Sequence, residues 1–210
     1  PAIAAALGDV ERVSWVVISY LIAVTIAAPV YGYLGDMYGR RRFMFMALAL
    51  YLGAAIASAF APTIAILAFT RFLQGLGGGG LMSLSQALIG EAVPPRQRGQ
   101  FQGYLAGIAV TASSFGPVAG AFVTDLFGWR AVFLMHVPTG IIAVLLTLRL
   151  KARPGNAQGG FRFDFPGLIY FVGFIVPLLL ALDQVRSLSA EQQSVALGLL
   201  GLALVSLVLL

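Results

Sequence analysis

The sequence predicts an all-α integral membrane protein, a bundle of spanning helices. Three observations predict it. Of 210 residues, 60% are hydrophobic and only 10% are charged, with a mean hydropathy of +0.93; a soluble domain carries about 25% charge. The apolar residues gather into runs close to the roughly 20 residues that cross a bilayer. The charges lie between these runs, and the basic ones favour alternate loops. A backbone in lipid must satisfy its own hydrogen bonds, so the runs are helices. They are too long and too uniformly apolar for the alternating strands of a barrel. The net charge of +5 builds no continuous patch for nucleic acid, and the absence of cysteine excludes disulfides and thiolate chemistry.

Six complete spans and one truncated span follow in order: Val13–Leu34, Phe43–Phe60, Thr63–Ile89, Phe101–Val123, Ala131–Leu148, Pro166–Leu182 and Ser194–Leu210. Only the third contains a charge, Arg71. The chain opens at Pro1 and stops inside an apolar run, so it reads as a fragment with a preceding helix expected.

Loop charges set the orientation. Arg40, Arg41, Arg42, Arg96, Arg98, Arg149, Lys151, Arg153 and Arg162 fall on one side, against Arg12, Arg130 and Arg186 on the other. Basic loops stay in the cytoplasm, so the first complete helix runs inward and Pro1 lies outside.

Two stretches look alike: "APVYGYLGDMYGRR" (28–41) and "GPVAGAFVTDLFGWR" (116–130). Both read Pro-Val-x-Gly, then Asp-x-aromatic-Gly-x-Arg. The first ends an inward helix and the second an outward one, the mark of an inverted repeat of the kind found in secondary transporters. With a preceding helix the unit is three helices followed by three inverted ones. Two unrelated turns using Gly for positive φ would look similar. The outer copy carries Trp129, which suits an aromatic belt.

"GYLGDMYGRRRF", "RFLQGLGGGG" and "GIAVTASSFGPVAGAF" resemble, in this order, the loop 2–3, fourth-helix and fifth-helix antiporter signatures of the major facilitator superfamily. "GWRAVFLMHVPTG" and "FDFPGLIYF" resemble its drug:proton antiporter branch with fourteen helices. The resemblance spans the chain and implies helices 2–8 of that bundle. Residues 1–150 would form the N-terminal transporter bundle, 151–165 a cytoplasmic linker, and 166–210 two extra helices. It departs from the family pattern at Met37, where a basic residue is common, and at Ala121, where a glycine is usual.

The resemblance assigns roles. Gly35, Asp36, Gly39 and Arg40 would latch the two halves of the protein, with Glu91 and Arg98 completing an ion-pair network around Arg40. Asp36 is placed either to pair with arginine or to cap a helix N-terminus; Arg41 and Arg42 serve topology alone. Arg71 lies eight positions into its span, roughly 12 Å deep, and a charge there faces a cavity or a partner. Gln74 shares its face. The family reading places Arg71, Gln74 and Gly75 at proton coupling and the cavity, beside a carboxylate on the preceding helix. Gly75 and Gly79 form a GxxxG pair for close helix packing. In the fifth helix, Gly107, Gly116, Pro117 and Gly120 form the antiporter motif, with a bend at Pro117 packed through small residues. His136 is structural. The chain carries no metal site and no nucleophile–base pair, so it is not an enzyme.

The implied function is proton-driven export of small lipophilic, often cationic drugs by alternating access, without a cofactor, in a bacterial-type inner membrane. The partners are substrate, protons, membrane lipid and the C-terminal half of the same chain, with no nucleic acid. Export of a lipid, siderophore or other metabolite, or a non-transporting scaffold or sensor, are the alternatives.

Overall fold

The computed structural model describes residues 2–8, 12–150, 163–184 and 190–210. The expected linker falls on 151–162, outside them, apart from its last residues. Among the described residues the chain is helical throughout: α1 (Ala2–Leu7), α2 (Val13–Tyr38), α3 (Arg40–Ala59), α4 (Ile64–Ala92), α5 (Pro95–Phe127), α6 (Trp129–Leu134), α7 (His136–Leu148), α8 (Phe165–Gln184) and α9 (Ala190–Leu209). α2, α3, α4, α5, the α6–α7 pair and α8 are long and apolar enough to cross a membrane.

The helices outrun the apolar stretches that predict them. α2 continues four residues past Leu34, and α5 begins six residues before Phe101. Backbone hydrogen bonding does not stop where lipid stops, so the polar residues between spans join the helices. The eight-residue turn expected between α2 and α3 shrinks to Gly39 alone. Its φ of 100° and ψ of 122° are open to a residue without Cβ, and its N–H bonds the Gly35 carbonyl at 2.9 Å. One break falls inside a span. Pro138 gives no N–H to the carbonyl of Leu134, and the helix steps at Met135 between α6 and α7.

α4 is the centre of the bundle, packed along α2 on one side and α3 on the other. Its glycines explain how. A Cβ at Gly79 would sit 2.9 Å from the Val24 Cα, and one at Gly75 would sit 2.8 Å from the Ala23 Cβ. One at Gly77 would sit 2.6 Å from the Tyr51 backbone nitrogen. Gly75 and Gly79, four apart, thus meet α2, while Gly77 meets α3. A further bond ties α3 to α4: the buried Ser58 and Thr70 hydroxyls lie 2.9 Å apart.

Two apolar clusters mark the ends of the bundle, named outer and inner after the orientation expected from the loop charges. Val16, Ala59, Ile64, Leu67, Trp129 and Phe133 form the outer one. Met44, Leu48 and Leu84 form the inner one, with Tyr31 and Leu88 against it. Trp129 corrects an expectation. It is buried in the outer cluster, 7% exposed, instead of standing in an aromatic belt, because the tight turn at Gly128 tucks the start of α6 under α3 and α4.

α8 and α9 form a hairpin, and α8 lies on α2. α5 stands apart, with no buried residue.

Candidate functional site

The inner end of the bundle gathers the first group of expected residues. Gly35 is buried, and a Cβ there would run into the Leu84 side chain and lie 3.3 Å from the Arg40 Cγ. Glycine lets the last turn of α2 close on α4 without moving Leu84, and brings Asp36 to the first residue of α3. Arg40 then donates from Nε and Nη2 to Asp36 Oδ1 at 2.9 and 2.7 Å. Its Nη1 reaches Glu91 Oε1 at 3.0 Å and the carbonyl of Ala87. One guanidinium therefore ties the end of α2, the start of α3 and the end of α4. The Arg40 side chain is 19% exposed against 60% for Asp36, so the arginine is the enclosed member.

One alternative is excluded here and one expectation is corrected. Asp36 does not cap a helix; it lies in the last turn of α2, and α3 has no side-chain cap at its start. Arg98 does not join the network. It turns to the end of its neighbouring helix, donating to the carbonyls of Gly90 at 2.6 Å and Val93 at 3.2 Å. Helix ends leave carbonyls without partners, and these two are within reach of Arg98 while Arg40 already holds Glu91. Arg41 makes a bond the sequence does not reveal. Its Nη2 donates to the Leu148 carbonyl at 3.1 Å, tying the end of α7 to the start of α3.

The second group sits inside the bundle. Thr63 starts α4, its hydroxyl accepting from the Ile66 N–H at 3.3 Å. Two turns on, Arg71 donates from Nη1 to Gln74 Oε1 at 2.9 Å and from Nε to the Val16 carbonyl at 3.4 Å. Its guanidinium lies 4.2 Å from the centre of the Tyr20 ring. This half-buried charge is held by hydrogen bonds and an aromatic face, the stacking worth roughly 0.5–2 kcal/mol. Gln74 is fully buried, and its Nε2 has no hydrogen-bond partner among the described residues. Gly75 is the residue that brings α2, with Val16 and Tyr20, close enough for these contacts.

Tyr20 is the member of this group missed in the sequence. No spacing pattern joins residues 51 apart on different helices; only the glycine face of α4 hints that its neighbour is close. Tyr20 also lines a cavity of about 320 Å³ with Tyr51, Gly78, His136 and Thr139. His136 meets Tyr51 edge-on, ring centres 5.6 Å apart, and its Nδ1 lies 3.2 Å from the Phe133 carbonyl.

The third group is not brought to any site. Around Gly107, Gly116 and Gly120 there is open space for a Cβ, with nothing within 4 Å, and α5 runs unbroken through Pro117. The close packing expected of these residues has no partner among the described residues. The described residues hold no cluster of metal-ligating side chains.

Membrane-length helices, glycine-mediated packing and a charge held within a span are the features of a multi-pass membrane protein. The family model of the Major Facilitator Superfamily matches residues 1–210. The chain belongs to that superfamily. It is 34% identical over 181 residues to Multidrug resistance protein 3 of Bacillus subtilis, covering 86% of this chain and 35% of the relative. It is also 34% identical over 209 residues to Multidrug transporter protein MdtP of the same organism, covering 99% and 38%. Riboflavin transporter RibZ of Clostridioides difficile is 28% identical over 176 residues, covering 84% and 39%. The chain spans little more than a third of the length of these relatives.

Proposed function

We propose that the whole protein is a proton-coupled secondary transporter. It exports lipophilic, often cationic compounds across a bacterial plasma membrane by alternating access, without a cofactor. The observation that carries this reading is Arg71, a cation inside a span beside a buried Gln74 with an unused amide N–H. A fixed positive charge lowers the pKa of a nearby carboxylate. Such an acid, on a helix preceding α1, would release its proton when substrate displaces it or the bundle turns inward. The names of the Bacillus relatives support drug export. The Arg40 network would hold one conformation, breaking and re-forming as two bundles rock. Residues 1–150 act in this reading as the N-terminal bundle, 166–210 as added helices, and 151–165 as their linker.

A second reading, export of a metabolite by the same mechanism, is favoured by the relative named for riboflavin. The full-length protein in proteoliposomes separates these. With a proton gradient opposed to substrate flow, a lipophilic cation should be transported, and Arg71→Ala should lower transport at least tenfold. Arg71→Lys should also fail, because an ammonium lacks the planar face that stacks on Tyr20. Transport of riboflavin-like compounds alone would favour the second reading. No movement of any substrate, with Arg71→Ala silent, would leave a scaffold or sensor.

A further inference from the structure

A cleft of about 720 Å³ lies between the inner halves of α2 and α8. Its size falls in the range of drug-sized pockets, about 300–1,000 Å³. It is remote from Arg71, and of the network around Arg40 only Asp36 lines it. Its aromatic walls are Tyr33 on α2, Phe163 just before α8 and Phe171 on α8. Tyr33 and Phe163 meet at 4.7 Å between ring centres with planes tilted 54°. Phe165 stands edge-on to Phe163, also at 4.7 Å. The rings brace one another, so the aromatic faces are set in advance of any ligand.

Two carboxylates, Asp36 and Asp164, share this lining, and among the described residues no lysine or arginine does. Asp164 Oδ1 accepts from the Gly167 N–H at 2.8 Å, capping the start of α8. Asp36 gives Oδ1 to Arg40. Among the described residues, neither second oxygen makes a hydrogen bond.

We propose that this cleft is a binding site for lipophilic organic cations at the cytoplasmic edge of the membrane. Aromatic faces attract a delocalised cation through their negative quadrupole, carboxylates supply the opposite charge, and the apolar remainder of the lining takes its hydrocarbon. The proposal rests on the transporter reading and narrows its substrate class. A cation beside Asp36 competes with Arg40 for that carboxylate, and Arg40 keeps Glu91. Occupancy of the cleft is thereby felt by the tie between α2, α3 and α4.

The test uses the full-length protein in nanodiscs, with tetraphenylphosphonium as the cation and triphenylphosphine oxide as its uncharged counterpart. Asp164→Asn keeps the cap, since Asn caps as well as Asp, and removes only the charge. It should weaken tetraphenylphosphonium binding about tenfold and leave triphenylphosphine oxide within twofold. Phe163→Ala should weaken both. Phe171→Cys should react with a maleimide, and tetraphenylphosphonium should protect it. Unchanged cation affinity in both Asp164→Asn and Phe163→Ala overturns the site. So does a Phe171→Cys thiol that the rest of the chain already shields from the maleimide. Its failure is distinct from that of the exporter reading. Proton-driven transport with cation affinity unaltered in both variants defeats the site alone; charge-dependent binding without transport defeats the exporter alone.

Discussion

The turns at Gly39 and Gly128 solve one backbone problem in the same way and then use it differently. Each is a single residue between two helices, with φ of 100° and 81°, and each N–H bonds back four residues, to Gly35 and Thr124. They stand at opposite ends of the bundle, Gly39 between Gly35, which meets Leu84, and Arg40, which meets Glu91, and Gly128 next to Trp129 of the outer apolar cluster. Yet Gly39 is buried and Gly128 exposed. At the first, Asp36 and Arg40 meet and recruit Glu91. At the second, Asp125 makes no ion pair among the described residues, and Arg130 lies over the Trp129 ring at 4.6 Å. The tight turn and the charge network are therefore separable: the backbone device is present twice, the electrostatic device once.

Substitutions can break that separation or sharpen it. The largest effect is expected where the two turns agree. Gly39→Val and Gly128→Val each force a side chain into positive φ, at a cost of about 1–3 kcal/mol. Both should lower the thermal melting point in detergent. A loss at Gly39 alone would mean that burial, not φ, is what its turn demands. Next is Arg40→Ala, which strips Asp36 and Glu91 of their shared partner. Transport by the full-length protein should drop about tenfold, near 1.4 kcal/mol in a barrier, while Arg130→Ala changes it less than twofold. Equal losses would erase the difference between the two ends. The smallest effect is on stability. Asp36→Asn should cost no more than about 1 kcal/mol, because an exposed ion pair contributes little. Asp125→Asn should cost nothing measurable by denaturant titration.

Much of the bundle was legible in the sequence because lipid imposes a length on apolar runs. Each expected span contains the core of an observed helix, from Val13 onward. The ends were not legible. Asp36, Tyr38 and Arg96 look like loop residues by polarity, but a helical backbone keeps its own hydrogen bonds whether or not its side chains are wet. Asp36 and Arg40 could be named together because the resemblance points to both, although helical spacing does not join them: Gly39 ends α2 between them. Arg98 could not be placed, since its choice between Glu91 and the carbonyls of Gly90 and Val93 depends on where α4 ends. Tyr20 beneath Arg71, and Arg41 at the end of α7, are contacts between distant helices, and local pattern carries no trace of them. In α5 the small residues were visible, but nothing among the described residues packs against them.

The glycine face of α4 has one more consequence. Contacts made by side chains can be renegotiated, since a leucine has other rotamers to offer a moving neighbour. Gly75, Gly77 and Gly79 have none, and they touch main-chain atoms or short side chains of α2 and α3. Any sliding along this seam collides backbone with backbone. Three helices locked in this way travel as a lever, and whatever motion the protein makes must be taken up at the ends of the lever, not along it.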